Sequence, residues 1–102
     1  MAKLDFFAIH AETEDDWVST NIELNFICED HTTIIECDGV ADDTDLSRLL
    51  TCLKSLFEEE TECTYEVKQY LGGFKHLVSV YGGKNDPSFA FECDALKITE
   101  HD

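Results

Sequence analysis

The feature that most constrains the fold is an alternation of apolar and polar residues with a period of two, interrupted once by a helical pattern. Ile22, Leu24 and Phe26 alternate with Glu23 and Asn25, as in a strand with one buried face. Similar patterns and turn signals predict strands at residues 3–11, 21–29, 32–37, 63–68, 74–81 and 88–98. Residues 3–11 are apolar on both faces, which indicates a central strand or one covered on both sides.

A single amphipathic helix separates the two sets of strands. Asp42, Asp43 and Thr44 precede it as candidate N-caps. Its apolar residues are spaced at i, i+3, i+4, i+7 and i+11 and form one stripe: Leu46, Leu49, Leu50, Leu53 and Phe57. The order βββ-α-βββ with mostly hairpin connections predicts an α+β fold, a single domain over residues 1–102 in which a mostly antiparallel sheet packs against this helix.

Composition indicates a folded cytoplasmic protein. The chain has 102 residues, of which 43% are hydrophobic, enough for one core. The first apolar run covers only residues 6–9 and follows Asp5, so neither a signal peptide nor a membrane span is expected. The five cysteines are an odd number without C-x-x-C spacing, which favours reduced, mostly buried thiols over disulfides or a zinc site.

The charge is the most unusual property of the sequence. Asp and Glu total 23 against 7 Lys and Arg, giving a net charge of -16. Such a field repels nucleic acid and anionic membranes and attracts basic surfaces. We therefore expect a basic protein as the partner, with no direct binding to nucleic acid or membrane. The alternative is that the acidity serves only solubility.

Catalytic and metal-binding patterns are absent from the sequence. With 23 acidic residues, any one carboxylate pair carries little information, and the four histidines are scattered without a nucleophile elbow. Residues 38–45 lack the residue order of a calcium-binding loop. Neither Gly-Gly pair directly precedes a helix, so neither is expected to form a phosphate-binding loop. The sequence predicts a non-enzyme without metal or cofactor. A small-molecule role would require a pocket with convergent polar groups.

The acidic residues form clusters with few basic residues among them, unlike the mixed charge of an ordinary soluble surface. Trp17 directly follows one cluster and is either a core residue or an apolar anchor in an interface, and Tyr70 is a second candidate anchor. The carboxylates predicted to bind the partner are Glu12, Glu14, Asp15, Asp16, Asp42, Asp43, Asp45, Glu58, Glu59 and Glu60.

The Asp15-Asp16-Trp17 segment, the alternating strands and the leucine-rich residues 46–56 resemble the WapI-type bacterial immunity family. Such immunity proteins neutralise toxins, often nucleases, by blocking a basic active site. In size and acidity the chain is also similar to phage-encoded DNA-mimic inhibitors, including anti-CRISPR proteins. Neither resemblance supplies roles for particular residues. Both imply an inhibitor whose carboxylates replace phosphates on a nuclease or nucleic-acid-binding complex.

The alternative function is a structural or assembly subunit that pairs through a sheet edge or face. The sequence leaves the oligomeric state open between a monomer and a homodimer.

Overall fold

The computed structural model describes residues 2–14, 17–58, 62–69, 75–82 and 88–102. The elements follow the predicted order along the chain. They are β1 (Ala2–Glu14), β2 (Trp17–Ile27), β3 (Thr32–Val40), α1 (Leu46–Glu58), β4 (Glu62–Gln69), β5 (His76–Tyr81) and β6 (Ser88–His101).

The six strands form a closed antiparallel barrel in the order β1-β2-β3-β6-β5-β4. Closure occurs where the start of β1 meets the start of β4, with Ala2 opposite Cys63 and Lys3 opposite Glu62. The prediction of an α+β fold, with a sheet packed against one helix, is therefore wrong. The sheet curls on itself, and α1 packs against its β1 and β6 strands.

The curvature has local causes in the strands. The β1–β2 register shifts between Leu4 and Phe6, and β3 contains Gly39 with a φ of 67°. Bulges and left-handed glycines of this kind bend a strand and increase its twist. The long β6 strand also changes partners, because it pairs with β5 from Ser88 to Cys93 and with β3 from Cys93 to His101. Hydrophobic periodicity reports which face of a strand is buried, but not these changes of register.

The core lies inside the barrel and under the helix. Leu24, Phe26, Ile35, Val78 and Val80 have no exposed surface. The buried residues of α1 are Leu49, Cys52, Leu53 and Leu56. Each fully buried side chain of this size contributes about 1.5–3 kcal/mol through removal of apolar surface from water.

The apolar stripe predicted for α1 is only partly buried. Leu49 and Leu53 are in the core, but Leu46, Leu50 and Phe57 are 37%, 42% and 44% exposed. The helix therefore has two apolar rows, of which one faces the barrel. The N-cap also differs from the candidates Asp42, Asp43 and Thr44, since the Oδ1 of Asp45 accepts a hydrogen bond from Arg48 N at 3.0 Å.

Strand β1 is not covered on both faces, because Phe6 is 45% exposed on its outer side. Burial of the thiols is confirmed, since the cysteines are free and four of the five are buried, with Cys28 half-buried.

Within the described ranges no helix is long and apolar enough to cross a membrane.

Candidate functional site

A two-stranded arm extends from one end of the barrel. Strand β2 pairs with β3 only from Ile22 onward, whereas its pairing with β1 continues outward from Asn21 opposite His10 to Trp17 opposite Glu14. Glu12 is exposed on this arm. The predicted site residues Asp15 and Asp16 lie outside the described residues, as do the side chains of Glu14 and Trp17. The arm is thus the element that carries Glu12, the described carboxylate of the first predicted acidic cluster.

The loop between β3 and α1 carries a second predicted cluster. Ala41 N donates a hydrogen bond to the carbonyl oxygen of Glu92 at 2.9 Å, which holds the loop against β6. Thr44 N donates to the Ala41 carbonyl oxygen at 3.1 Å and closes a turn that contains Asp42 and Asp43. Both of these aspartates are exposed, so the turn presents them to solvent.

The barrel brings further carboxylates to this loop. Asp38 lies near the end of β3 opposite Ala95, and Asp94 is the adjacent residue on β6. We call Asp38, Asp42, Asp43, Asp45 and Asp94 together the acidic end. All five are exposed, and within the described part of the chain none of them forms a salt bridge. Their charges are therefore left to act on an approaching molecule.

The base of the arm adjoins the acidic end. Gly39 N donates a hydrogen bond to Asn21 Oδ1 at 3.2 Å, which links β3 to the first residue pair of the arm. Glu12 lies two residues further out on β1. The clusters at Glu12 and at Asp42–Asp45, separated by some thirty residues of sequence, therefore share one end of the barrel.

Glu58, the described residue of the third predicted cluster, is not part of this end. Glu58 is the last residue of α1, a helix of 13 residues that separates it from Asp45 by about 20 Å at 1.5 Å per residue. Glu58 lies instead near Lys3, Asp5 and Ile27, at the opposite end of the barrel. Glu59, Glu60 and Tyr70 lie outside the described residues. The predicted site is thus divided between the two ends.

A pocket of about 440 Å³ lies beside the start of α1, against β5 and β6. Its lining includes Asp43, Asp45 and Arg48, and the Arg48 guanidinium lies 6.0 Å from the centre of the Phe89 ring. The residues that line this pocket include serines and a tyrosine. Within the described ranges, the lining contains neither His nor Cys. Among the described residues there is also no group of three or more His, Cys, Asp or Glu placed to hold a metal ion.

Sequence reasoning missed an apolar groove between β1 and α1. Phe6 and Phe7 on β1 and Leu46, Leu50 and Phe57 on α1 line two adjoining concavities of about 400 and 510 Å³. The signal was present in the helix, where residues 46, 50 and 57 form one row and residues 49, 52, 53 and 56 form another. Treating them as one stripe concealed that the barrel buries only the second row.

The turn between β2 and β3 contains a close ion pair. Nδ1 of His31 donates to Oδ1 of Asp30 at 2.6 Å, and Cys28 N donates to the His31 carbonyl oxygen at 2.8 Å. The hydrogen bond raises the pKa of His31 and lowers that of Asp30. This pair lies near Glu29 and Glu100 at the end opposite the acidic end.

Comparison with protein-family models, with curated proteins and with solved structures gave no significant match. No residue role is therefore transferred from a relative, and the assignment of function depends on the geometry of this chain.

Proposed function

We propose that the protein is a non-catalytic inhibitor that binds a basic, nucleic-acid-handling protein through the acidic end and the adjoining arm. The observation that carries this proposal is the gathering of carboxylates from β1, the β3–α1 loop and β6 at one end of the barrel. Carboxylates on a rigid scaffold are suited to occupy sites that bind phosphates through Lys and Arg. A toxin nuclease and a nucleic-acid-binding defence complex are both partners that would present such a phosphate-binding site.

Two features of the acidic end support binding to a protein rather than to a small cation. Its carboxylates are spread over two strands and a loop, so they present an extended surface. The arm beside them is a two-stranded ribbon exposed along β1, with a shape suited to enter a groove. The barrel beneath this surface is closed, which limits the ordering cost on binding.

The test is affinity capture from a lysate of the native host, eluted by a salt gradient, on three columns. One carries the natural protein, the second carries the variant Glu12→Gln/Asp42→Asn/Asp43→Asn, and the third carries Glu29→Gln/Glu62→Gln/Glu100→Gln. Both variants lose three negative charges, but the second loses them on the arm and acidic end and the third at the opposite end. A basic protein retained by the first and third columns alone would support the proposal. Equal retention by all three would contradict it.

The alternative of an assembly subunit is favoured by one specific observation. Residues 95–101 of β6 pair with β3, and within the described ranges their other edge has no strand partner. An open edge of this length is a template for pairing with another chain. A mass that rises with protein concentration and is insensitive to salt would favour that function over inhibition.

A further inference from the structure

The groove between β1 and α1 is an apolar surface that the described part of the chain leaves partly open to solvent. We call Phe6, Phe7, Leu46, Leu50 and Phe57 the β1–α1 groove. Four of its five residues are between 37% and 45% exposed, and they account for half of the large exposed hydrophobic residues among the described positions. Scattered exposed apolar residues are ordinary, but a contiguous set along one groove is typical of an interaction site.

The groove has the dimensions of a peptide site. Its two concavities share Phe7 and Leu50, so they adjoin and together outline a channel beside the helix. The exposed row of α1 runs from Leu46 to Phe57, which is about 17 Å at 1.5 Å per residue. An amphipathic helix that packs along such a channel inserts apolar side chains at i, i+3 or i+4, and i+7.

The charges around the groove indicate the chemistry of its occupant. Asp45 directly precedes Leu46 at one end, while Asp5 and Glu58 line the other end beside Phe57. The negative charge therefore lies at the two ends, whereas the residues between them are mainly apolar and include Lys54. An occupant with apolar residues in its middle and Lys or Arg at both ends would be complementary.

The net charge argues against a second copy of this chain as the occupant. Each copy carries -16, so self-association through this groove would bring two strongly negative surfaces together. A basic segment would be attracted by the same negative charge. The choice of a basic occupant rests on the proposed function, because that function requires a basic partner. We propose that the β1–α1 groove binds an amphipathic, basic helical segment of that partner, which supplies apolar anchoring beside the electrostatic contacts of the acidic end.

The test uses two synthetic peptides of about 18 residues made of Leu and Lys, about 27 Å long as helices. One places its leucines on a single helical face, and the other has the same composition in scrambled order. Because both have equal charge, electrostatic attraction alone would bind them equally. We expect the amphipathic peptide to bind at least ten times more tightly, measured by fluorescence anisotropy, with amide NMR shifts centred on Leu46, Leu50 and Phe57.

A matched pair of variants locates the site. Leu50→Gln removes an apolar residue that is 42% exposed in the groove, and Ile98→Gln removes one that is 44% exposed on β6. Leu50→Gln should abolish the preference for the amphipathic peptide, whereas Ile98→Gln should leave it within about twofold. Circular dichroism melts of both variants check that the fold is retained.

Three outcomes would overturn the inference. They are equal binding of the two peptides, no saturable binding of the amphipathic peptide, and a dimer of the natural protein that Leu50→Gln dissociates. The last result would assign the groove to a second copy. Failure here is separable from failure of the proposed function, because the acidic-end variant with Glu12, Asp42 and Asp43 neutralised leaves all five groove residues intact.

Discussion

Phe57 on α1 meets Phe7 on β1 edge to face, with ring centroids 6.0 Å apart and ring planes at 79°. The contact fastens the C-terminal half of the helix to the barrel while nearly half of the Phe57 surface stays in solvent. One side chain therefore serves both the attachment of the helix and the lining of the groove.

The half-buried state of Phe57 sets the size of its contribution to stability. We expect Phe57→Ala to lower the free energy of unfolding by about 1–2 kcal/mol, roughly half the transfer energy of a buried aromatic plus the edge contact. Phe26→Ala should cost about 3–5 kcal/mol, because Phe26 is fully buried and stacks on Tyr65 with centroids 5.2 Å apart. Urea denaturation measures both changes. Equal decreases in the free energy of unfolding would mean that Phe57 contributes as much to stability as the fully buried Phe26.

Position 39 requires a glycine because of its backbone conformation and because of the nearby side chain of Asp94. Its φ of 67° is strained for other residues, and a Cβ there would lie 2.8 Å from Oδ2 of Asp94. We expect Gly39→Ala to destabilise the protein by at least about 1–2 kcal/mol, the cost of the left-handed conformation. In an Asp94→Ala background the contact with Oδ2 is removed while the contact with the Cβ of residue 94 at 3.1 Å remains, so the same substitution should cost less. A cost unaffected by Asp94→Ala, measured in a double-mutant cycle, would show that Asp94 is not the obstacle.

The cysteines should differ sharply in their reactivity toward a thiol reagent. Burial raises the pKa of the Cys52 and Cys63 thiols, and a hydrogen bond to Cys93 together with burial raises that of Cys37. Half-buried Cys28 should therefore react first in the native protein, and the buried four only as the chain unfolds. Ellman titration should give one fast equivalent, which Cys28→Ser removes. Several fast equivalents without denaturant would contradict this arrangement.

The Asp30–His31 pair should make the β2–β3 turn sensitive to pH in two directions. Because the folded pKa of His31 is raised, its stabilising charge is lost as the pH rises through that value. Because the folded pKa of Asp30 is lowered, its contribution is lost as the pH falls through that value. The pair is therefore intact between the two pKa values. In Asp30→Asn, NMR titration should show a lower pKa for His31, and an unchanged value would mean that the pair is not formed in solution.

Local patterns in the sequence predicted the elements correctly, but not how they assemble. The alternation around Leu24 indicated a strand, and the order of strands and helix followed from similar patterns. Closure depends on the meeting of Ala2 with Cys63 and of Val40 with Cys93, which are pairs of residues far apart along the chain. Periodicity carries no information about such registers, so an open sheet was expected where a barrel forms.

The same limit applies to the candidate site. The aspartates around Asp42 were identifiable from charge alone, but their proximity to Asp94 follows from β3–β6 pairing. Glu58 was predicted to bind the same partner, and only the length of α1 shows that it lies at the opposite end from these aspartates. The sequence placed Leu50 in the apolar stripe of α1 but did not show its exposure, because a helical stripe does not show how much of its width a partner element covers.

Binding through the acidic end is tested most directly by the association rate constant of the purified protein with its captured partner. It should be measured near 0.15 M ionic strength, where the Debye length of about 8 Å confines the effect of each charge to its own end of the barrel. The variant Glu12→Gln/Asp42→Asn/Asp43→Asn should associate more slowly and bind at least about tenfold more weakly, a loss of roughly 1.4 kcal/mol. The equally charged Glu29→Gln/Glu62→Gln/Glu100→Gln should stay within about twofold of the natural protein. Equal effects of the two variants, or none, would contradict binding through the acidic end.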